Sequence, residues 1–210
     1  MKKIALTFCA ASLVFFACND AAKTEETKTS KDSTMAVKPK PMSAEEQQKA
    51  WMAYMTPGEV HKMMAASHGQ WNEDVTMWMA PDSPAVKSKA TAVNKMIMGG
   101  RYQQSISTGN MMGMPFEGMS IVGYDNNKKV FVSTWVDNFG TGIMNMEGPW
   151  DDKTKSMTLT GKMVDPMGGG KEVDVKEVMT FVNDKTQKME MYMTTDGKMW
   201  KTMEIMFTKK

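Results

Sequence analysis

From residue 70 to the C-terminus, apolar and polar side chains alternate with a period of two. Successive side chains on a strand point to opposite sides, so this alternation predicts strands with one buried face. Ten segments carry it: 70–79, 89–98, 101–108, 115–124, 129–136, 141–148, 156–163, 171–182, 187–194 and 199–208. Turn chemistry separates them, at Gly99-Gly100, Thr108-Gly109-Asn110, Asp125-Asn126-Asn127, residues 137–140, Asp151-Asp152-Lys153, residues 165–170, Asn183-Asp184-Lys185 and Asp196-Gly197. Short strands with hairpin-length joins predict a mainly β chain, an antiparallel up-and-down barrel of about ten strands. Closure would leave no exposed edge. A two-sheet β-sandwich is the alternative.

Before residue 70 the pattern is helical. Ser43-Ala44-Glu45-Glu46 is a capping box that predicts a helix to about Met55. Thr56-Pro57-Gly58-Glu59 repeats the device, with Thr56 as cap and Pro57 at the first helical position. The second helix should end near Ser67. Residues 19–42 are rich in Lys, Thr, Glu and Pro and poor in apolar side chains, which predicts a flexible tether. A chain of that length reaches roughly 25–30 Å. At the start, Lys2 and Lys3 precede an apolar run from Ile4 to Ala17, the pattern of a secretory signal. The run is short of the roughly twenty residues a spanning helix needs. Ala17-Cys18 resembles the lipobox of bacterial lipoproteins, with Phe15 where Leu is usual. The expected organisation is therefore a signal peptide (1–17), a lipidated Cys18 with its tether (18–42), and two helices plus one barrel domain (43–210). The expected location is the bacterial cell envelope, with the protein attached to a membrane through lipid on Cys18.

Composition narrows the chemistry. The full chain carries a formal charge of +2, but Lys2 and Lys3 belong to the signal, so the remainder is neutral. Arg101 is the only arginine and no basic stripe exists, which argues against nucleic-acid binding. Cys9 lies in the signal and Cys18 would be blocked, leaving no thiol for catalysis, a disulfide or a zinc site. Methionine is abundant, 27 in all, while Leu159 is the sole leucine after Cys18. Soft thioethers suit Cu(I), so a copper-handling role is one reading. Spacing favours another: Met77/Met79, Met96/Met98, Met144/Met146 and Met189/Met191/Met193 repeat every second residue, as inward stripes of strands would.

One set of segments occurs in a fixed order: Pro57-Gly58 with His61, Gly69-x-Trp71, Gly99-Gly100-Arg101-Tyr102, Gly113-Met114-Pro115-Phe116-Glu117-Gly118, Gly123-Tyr124-Asp125, Ser133-Thr134-Trp135-Val136-Asp137, Gly140-Thr141 and Asp165-Pro166. Together they resemble the bacterial domain-of-unknown-function family numbered 1579, over about residues 55–209. That resemblance implies no activity. Gly69-Gln70-Trp71 on the first strand is also similar to the Gly-x-Trp of lipocalin and calycin barrels. There the Trp closes one barrel end under a basic residue of the last strand, which implies Trp71 and Lys209 here.

Candidate chemistry is sparse. His61 and His68 are the only histidines, and the expectation is that one of them caps a helix or sits at an interface while the other is exposed. Met111, Met112 and Met114 fall in a predicted hairpin loop and are the candidates for a metal. Arg101 and Glu117 would be costly to bury singly but tolerable as an interior pair. With Met114, Phe116, Trp135 and Asp137 they form the candidate ligand-binding set. On the strand at 129–136, both faces are apolar, and the two helices are the expected cover of the outer one. No His-Glu-x-x-His, paired-Cys or phosphate-loop pattern occurs, and no cofactor is implied. The expectation is a non-catalytic binding module for a small apolar or amphipathic ligand. A structural or partner-binding envelope lipoprotein is the alternative.

Overall fold

The structure, a computed structural model, describes residues 41–210; Cys18, the signal and most of the tether lie outside the described residues. Helix α1 (Ala44–Met55) opens on the expected capping box. Glu46 N–H donates to Ser43 Oγ (3.2 Å) and Ser43 N–H to Glu46 Oε2 (2.7 Å). The second cap differs. Thr56 closes α1 instead of opening the next helix, because its hydroxyl already donates to Met52 O (2.6 Å). Helix α2 (Glu59–Ala66) starts after Gly58, whose N–H donates to His61 Nδ1 (3.0 Å).

Eleven strands follow: β1 (Gly69–Met77), β2 (Val86–Ile97), β3 (Tyr102–Met111), β4 (Met114–Asp125), β5 (Val130–Asp137), β6 (Met144–Gly148), β7 (Trp150–Asp151), β8 (Ser156–Asp165), β9 (Lys171–Asn183), β10 (Thr186–Thr195) and β11 (Lys198–Lys209). Neighbours in sequence pair antiparallel except β6 and β7, β1 also pairs β11, and β6 pairs β8. The sheet therefore closes on itself as a ten-strand up-and-down barrel, with the two-residue β7 as an extra strand. Closure excludes the sandwich. Two glycines permit it at the β6–β8 seam: a Cβ on Gly148 would overlap Thr158 O, and one on Gly161 would overlap Asn145 O.

The β3–β4 join is shorter than the sequence implies. The turn is Met112-Gly113 alone, with φ of +55° and +80°, the two positive values that a tight hairpin turn of the right twist requires. Gly109 belongs to the strand. A Cβ there would lie 2.8 Å from Ala90 Cβ, so this glycine serves close packing rather than turning. Met111 consequently sits in the core, not in a loop.

The helices do not cover the outer face of β5. Helix α2 packs against β2, β3 and β4 and closes one end of the barrel, with Met64 in the core. Its last carbonyls, which lack partners within the helix, are taken by barrel side chains. Gln103 Nε2 donates to Met64 O (2.7 Å), Trp71 Nε1 to Ser67 O (2.9 Å) and Lys209 Nζ to Ala66 O (2.9 Å). Four strands thus clamp α2, since Gln187 of β10 also donates to Ser67 Oγ (2.6 Å).

Candidate functional site

Residues directly opposite each other in an antiparallel pair share a face, so the inward row can be followed around the wall. Trp71, Glu73 and Val75 of β1 stand opposite Ala92, Ala90 and Ser88 of β2 on one side and Lys209, Phe207 and Ile205 of β11 on the other. The lining is unequal. From β2 to β5 small residues (Ala90, Ala92, Ser105, Ser107, Gly109, Gly118, Ser120 and Ser133) are interspersed with larger ones, among them the aromatics Phe116, Tyr124, Phe131 and Trp135. From β6 to β11 it is thioether: Met144, Met146, Met157, Met163, Met179, Met189, Met191 and Met203, with Leu159 among them. The alternating methionines thus form the interior of one half of the barrel. A ten-strand barrel is wider than the eight-strand kind that side chains just fill. Consistent with this, Ser120, Met163, Glu177 and Met179 face inward yet keep part of their surface uncovered.

Two carboxyls stand on this lining that the sequence reading missed. Glu73 is buried and accepts from Ser107 Oγ (2.8 Å). Burial raises its pKa, and the Ser107 hydrogen bond works in the opposite direction. Glu177, at the midpoint of β9, lies directly opposite Leu159 and Met191, with Val175 and Met179 on either side along its own face. It has no hydrogen-bond or ion partner among the described residues, and burial alone raises its pKa to about 7. Asn94 Oδ1 and Ser88 Oγ, also on inward positions, are buried without partners. The available signal was an acid inside an inward apolar row, as in Trp71-x-Glu73-x-Val75 and Val175-x-Glu177-x-Met179.

The raised pKa of Glu177 predicts a pH-dependent stability. Between the ordinary value of 4.5 and about 7 the folded protein holds a proton that the unfolded chain has lost. The contribution is therefore full below the unfolded value and disappears as pH rises through the folded one. Urea unfolding should show a loss of up to about 3 kcal/mol between about pH 5 and about pH 8. Glu177→Gln should flatten that slope. His61 titrates in the same window with the opposite sign, because burial and then the charge of Arg101 lower its pKa. The difference between the two proteins isolates Glu177, and identical slopes would refute the assignment.

The candidate residues separate into two ends of the barrel. Phe116, Trp135 and Asp137 come together at the mouth opposite α2. Phe116 stacks on Trp135 (6.3 Å between centroids), and Trp135 Nε1 donates to Asp137 Oδ2 (2.7 Å). The Trp135 ring lies over Gly118, where a Cβ would overlap it. Met114 is half exposed at this rim, beside Met112 in the turn. Arg101 and Glu117 do not form the expected interior pair. Phe116 takes the inward place on β4, which leaves Glu117 outside, and Arg101 lies at the α2 end with its Nη1 donating to Met98 O (3.1 Å). Of the metal candidates, Met111 is buried in the core while Met112 and Met114 are exposed.

At the α2 end, Trp71 is completely buried, and Lys209 Nζ sits 5.6 Å from its ring centroid. His61 packs edge-on to Tyr124, which begins an aromatic chain through Phe131 and Trp150 to Phe181. Beside α2 a cleft of about 280 Å³ remains, bordered by Met63, Ser67, Trp150, Phe181 and Gln187. A second cleft, of about 300 Å³, lies at the mouth between Trp78, Pro81, Trp200 and Lys201.

Comparison with known proteins gives a family and a fold. The family model described as "Protein of unknown function (DUF1579)" matches residues 56–209. No curated protein matches the sequence significantly. Among 14 solved chains with significant structural similarity is one titled "Crystal Structure of Rv2717c from M. tuberculosis". It is 8% identical, with a TM-score of 0.55 over 74% of this chain and 99% of that chain, a likeness of fold alone.

Proposed function

The chain belongs to the family of unknown function DUF1579, and from the character of the barrel interior we propose a non-catalytic binding module for a small apolar or amphipathic molecule. The observation that carries this reading is the lining: small and aromatic residues on one side and thioethers on the other, with inward side chains partly uncovered. Methionine repacks around varied shapes at little cost, so such a wall suits an irregular apolar ligand. Serines and the carboxyls of Glu73 and Glu177 interrupt the surface and could orient a polar head. The reading includes attachment to a membrane of the bacterial cell envelope through lipid on Cys18, which rests on the Ala17-Cys18 pattern.

A fluorescent fatty-chain probe should bind saturably, at one molecule per barrel, and gain emission. Native mass spectrometry of protein purified from its source should show a co-purifying molecule. If the barrel is empty and the probe does not bind, the proposal fails. The partner-binding reading then takes its place, supported by the exposed Met112, Phe139, Ile143, Met167 and Met199 at and near the mouth.

A further inference from the structure

The interior carries acid without base. Along the inward rows Glu73 and Glu177 stand away from the strand ends. Lysines enter those rows only at the ends, as Lys171, Lys198 and Lys209. Neither Arg nor His occurs in them. Lys209 is already committed to Ala66 O over the Trp71 ring, and Lys171 is exposed opposite Asp165. Glu177, partly covered, stands among thioether and aliphatic side chains with no partner among the described residues, and Asn94 is buried with its acceptor oxygen unused.

An unpaired carboxylate in such surroundings is costly, whereas a pair with a hydrogen-bonding cation is tolerated. The groups left without partners are acceptors, with the Ser88 hydroxyl able to act either way. We propose that the lumen selects an amphiphile with a protonated amine head, which pairs with Glu177 while its apolar tail lies along the methionine wall. This rests on the binding function proposed above and specifies the ligand class. An ammonium supplies three donors and a full positive charge. A carboxylate head would meet Glu177 as a like charge once that group is ionised. An alcohol could offer only a neutral hydrogen bond, the weaker kind.

The test is isothermal titration calorimetry of the purified protein with dodecylamine, dodecanol and dodecanoate. Each is used below its micelle concentration, near neutral pH. Dodecylamine should bind one per barrel, about tenfold or more tighter than dodecanol, with dodecanoate the weakest. Glu177→Gln should bring dodecylamine to the level of dodecanol and leave dodecanol unchanged. Glu177→Met, which keeps the side-chain length and adds a thioether, should do the same. Unfolding curves of both variants confirm that they are folded. Equal binding of amine and alcohol, or an amine preference that survives both substitutions, overturns the ammonium assignment while leaving the apolar site in place. Failure of all three ligands to bind overturns the binding function itself.

Discussion

Trp71→Ala should lower the unfolding free energy by about 3–5 kcal/mol, the range for removing a fully buried Trp. The ring is completely covered. Its indole N–H also holds Ser67 O at the end of α2, and Lys209 Nζ lies over its face. Removing it leaves a cavity under α2 and frees one of the carbonyls by which the barrel grips that helix. The measurement is urea unfolding of both proteins, followed by far-ultraviolet circular dichroism. Near-ultraviolet spectra should change too, as the aromatic chain from His61 to Phe181 loses its neighbouring lid. Lys209→Met should lose less, because a partly exposed cation over a ring contributes about 0.5–1 kcal/mol and its hydrogen bond to Ala66 O about 1 kcal/mol more. A loss below about 1 kcal/mol for Trp71→Ala would show that α2 is not held through this residue.

Gly148→Ala should open the barrel. The added methyl group would overlap the backbone oxygen of Thr158, and a backbone atom cannot swing aside as a side chain can. Overpacking of a core costs about 1–3 kcal/mol, and a clash with backbone lies at or above the top of that range. The site matters as much as the size. β6 and β8 are the pair that closes the ring, so separating them exposes two strand edges to other molecules. The variant should therefore both lose stability and self-associate, read by urea unfolding and by light scattering after size exclusion. Gly142→Ala is the control, since nothing lies within 4 Å of its added Cβ. Equal stability for the two variants would show that the seam tolerates separation.

The strand series was legible because inward positions repeat strictly. Met189, Met191 and Met193, or Trp71 and Val75, keep to one face of a strand whichever neighbour the strand has. The capping box at Ser43 was legible for the same reason, since its partner lies only three residues away. Misreadings arose where a residue's role depends on distant chain. Gly109 looks like a turn residue until Ala90 is brought against it. The outer face of β5 looks as if it needs the helices. Their polar contacts, to Gln103, Trp71, Gln187 and Lys209, take α2 to the barrel end instead. Arg101 and Glu117 were expected as an interior pair because each would be costly to bury alone, but strand pairing carries them to opposite ends.

The candidate site was less legible than the fold. Phe116, Trp135 and Asp137 stand on two strands already suspected of pairing, and the structure brings them together. Glu177 was invisible as chemistry because a charged residue in a strand is ordinarily solvated. Only its neighbours across the sheet, Leu159 and Met191, show that it faces the interior.

By itself, the sequence determined the local periods: two helices, ten strands, the turns between most of them and the sidedness of the methionines. These depend on residues a few positions apart, where the chain's own geometry decides which side chains share a face. Tertiary structure decided what those faces meet. It closed β6 onto β8 through Gly148 and Gly161, set α2 over Trp71 and turned Glu177 inward without a partner among the described residues. Such pairings join residues far apart in the chain, and a carboxyl acquires its pKa only from the surroundings that fold around it.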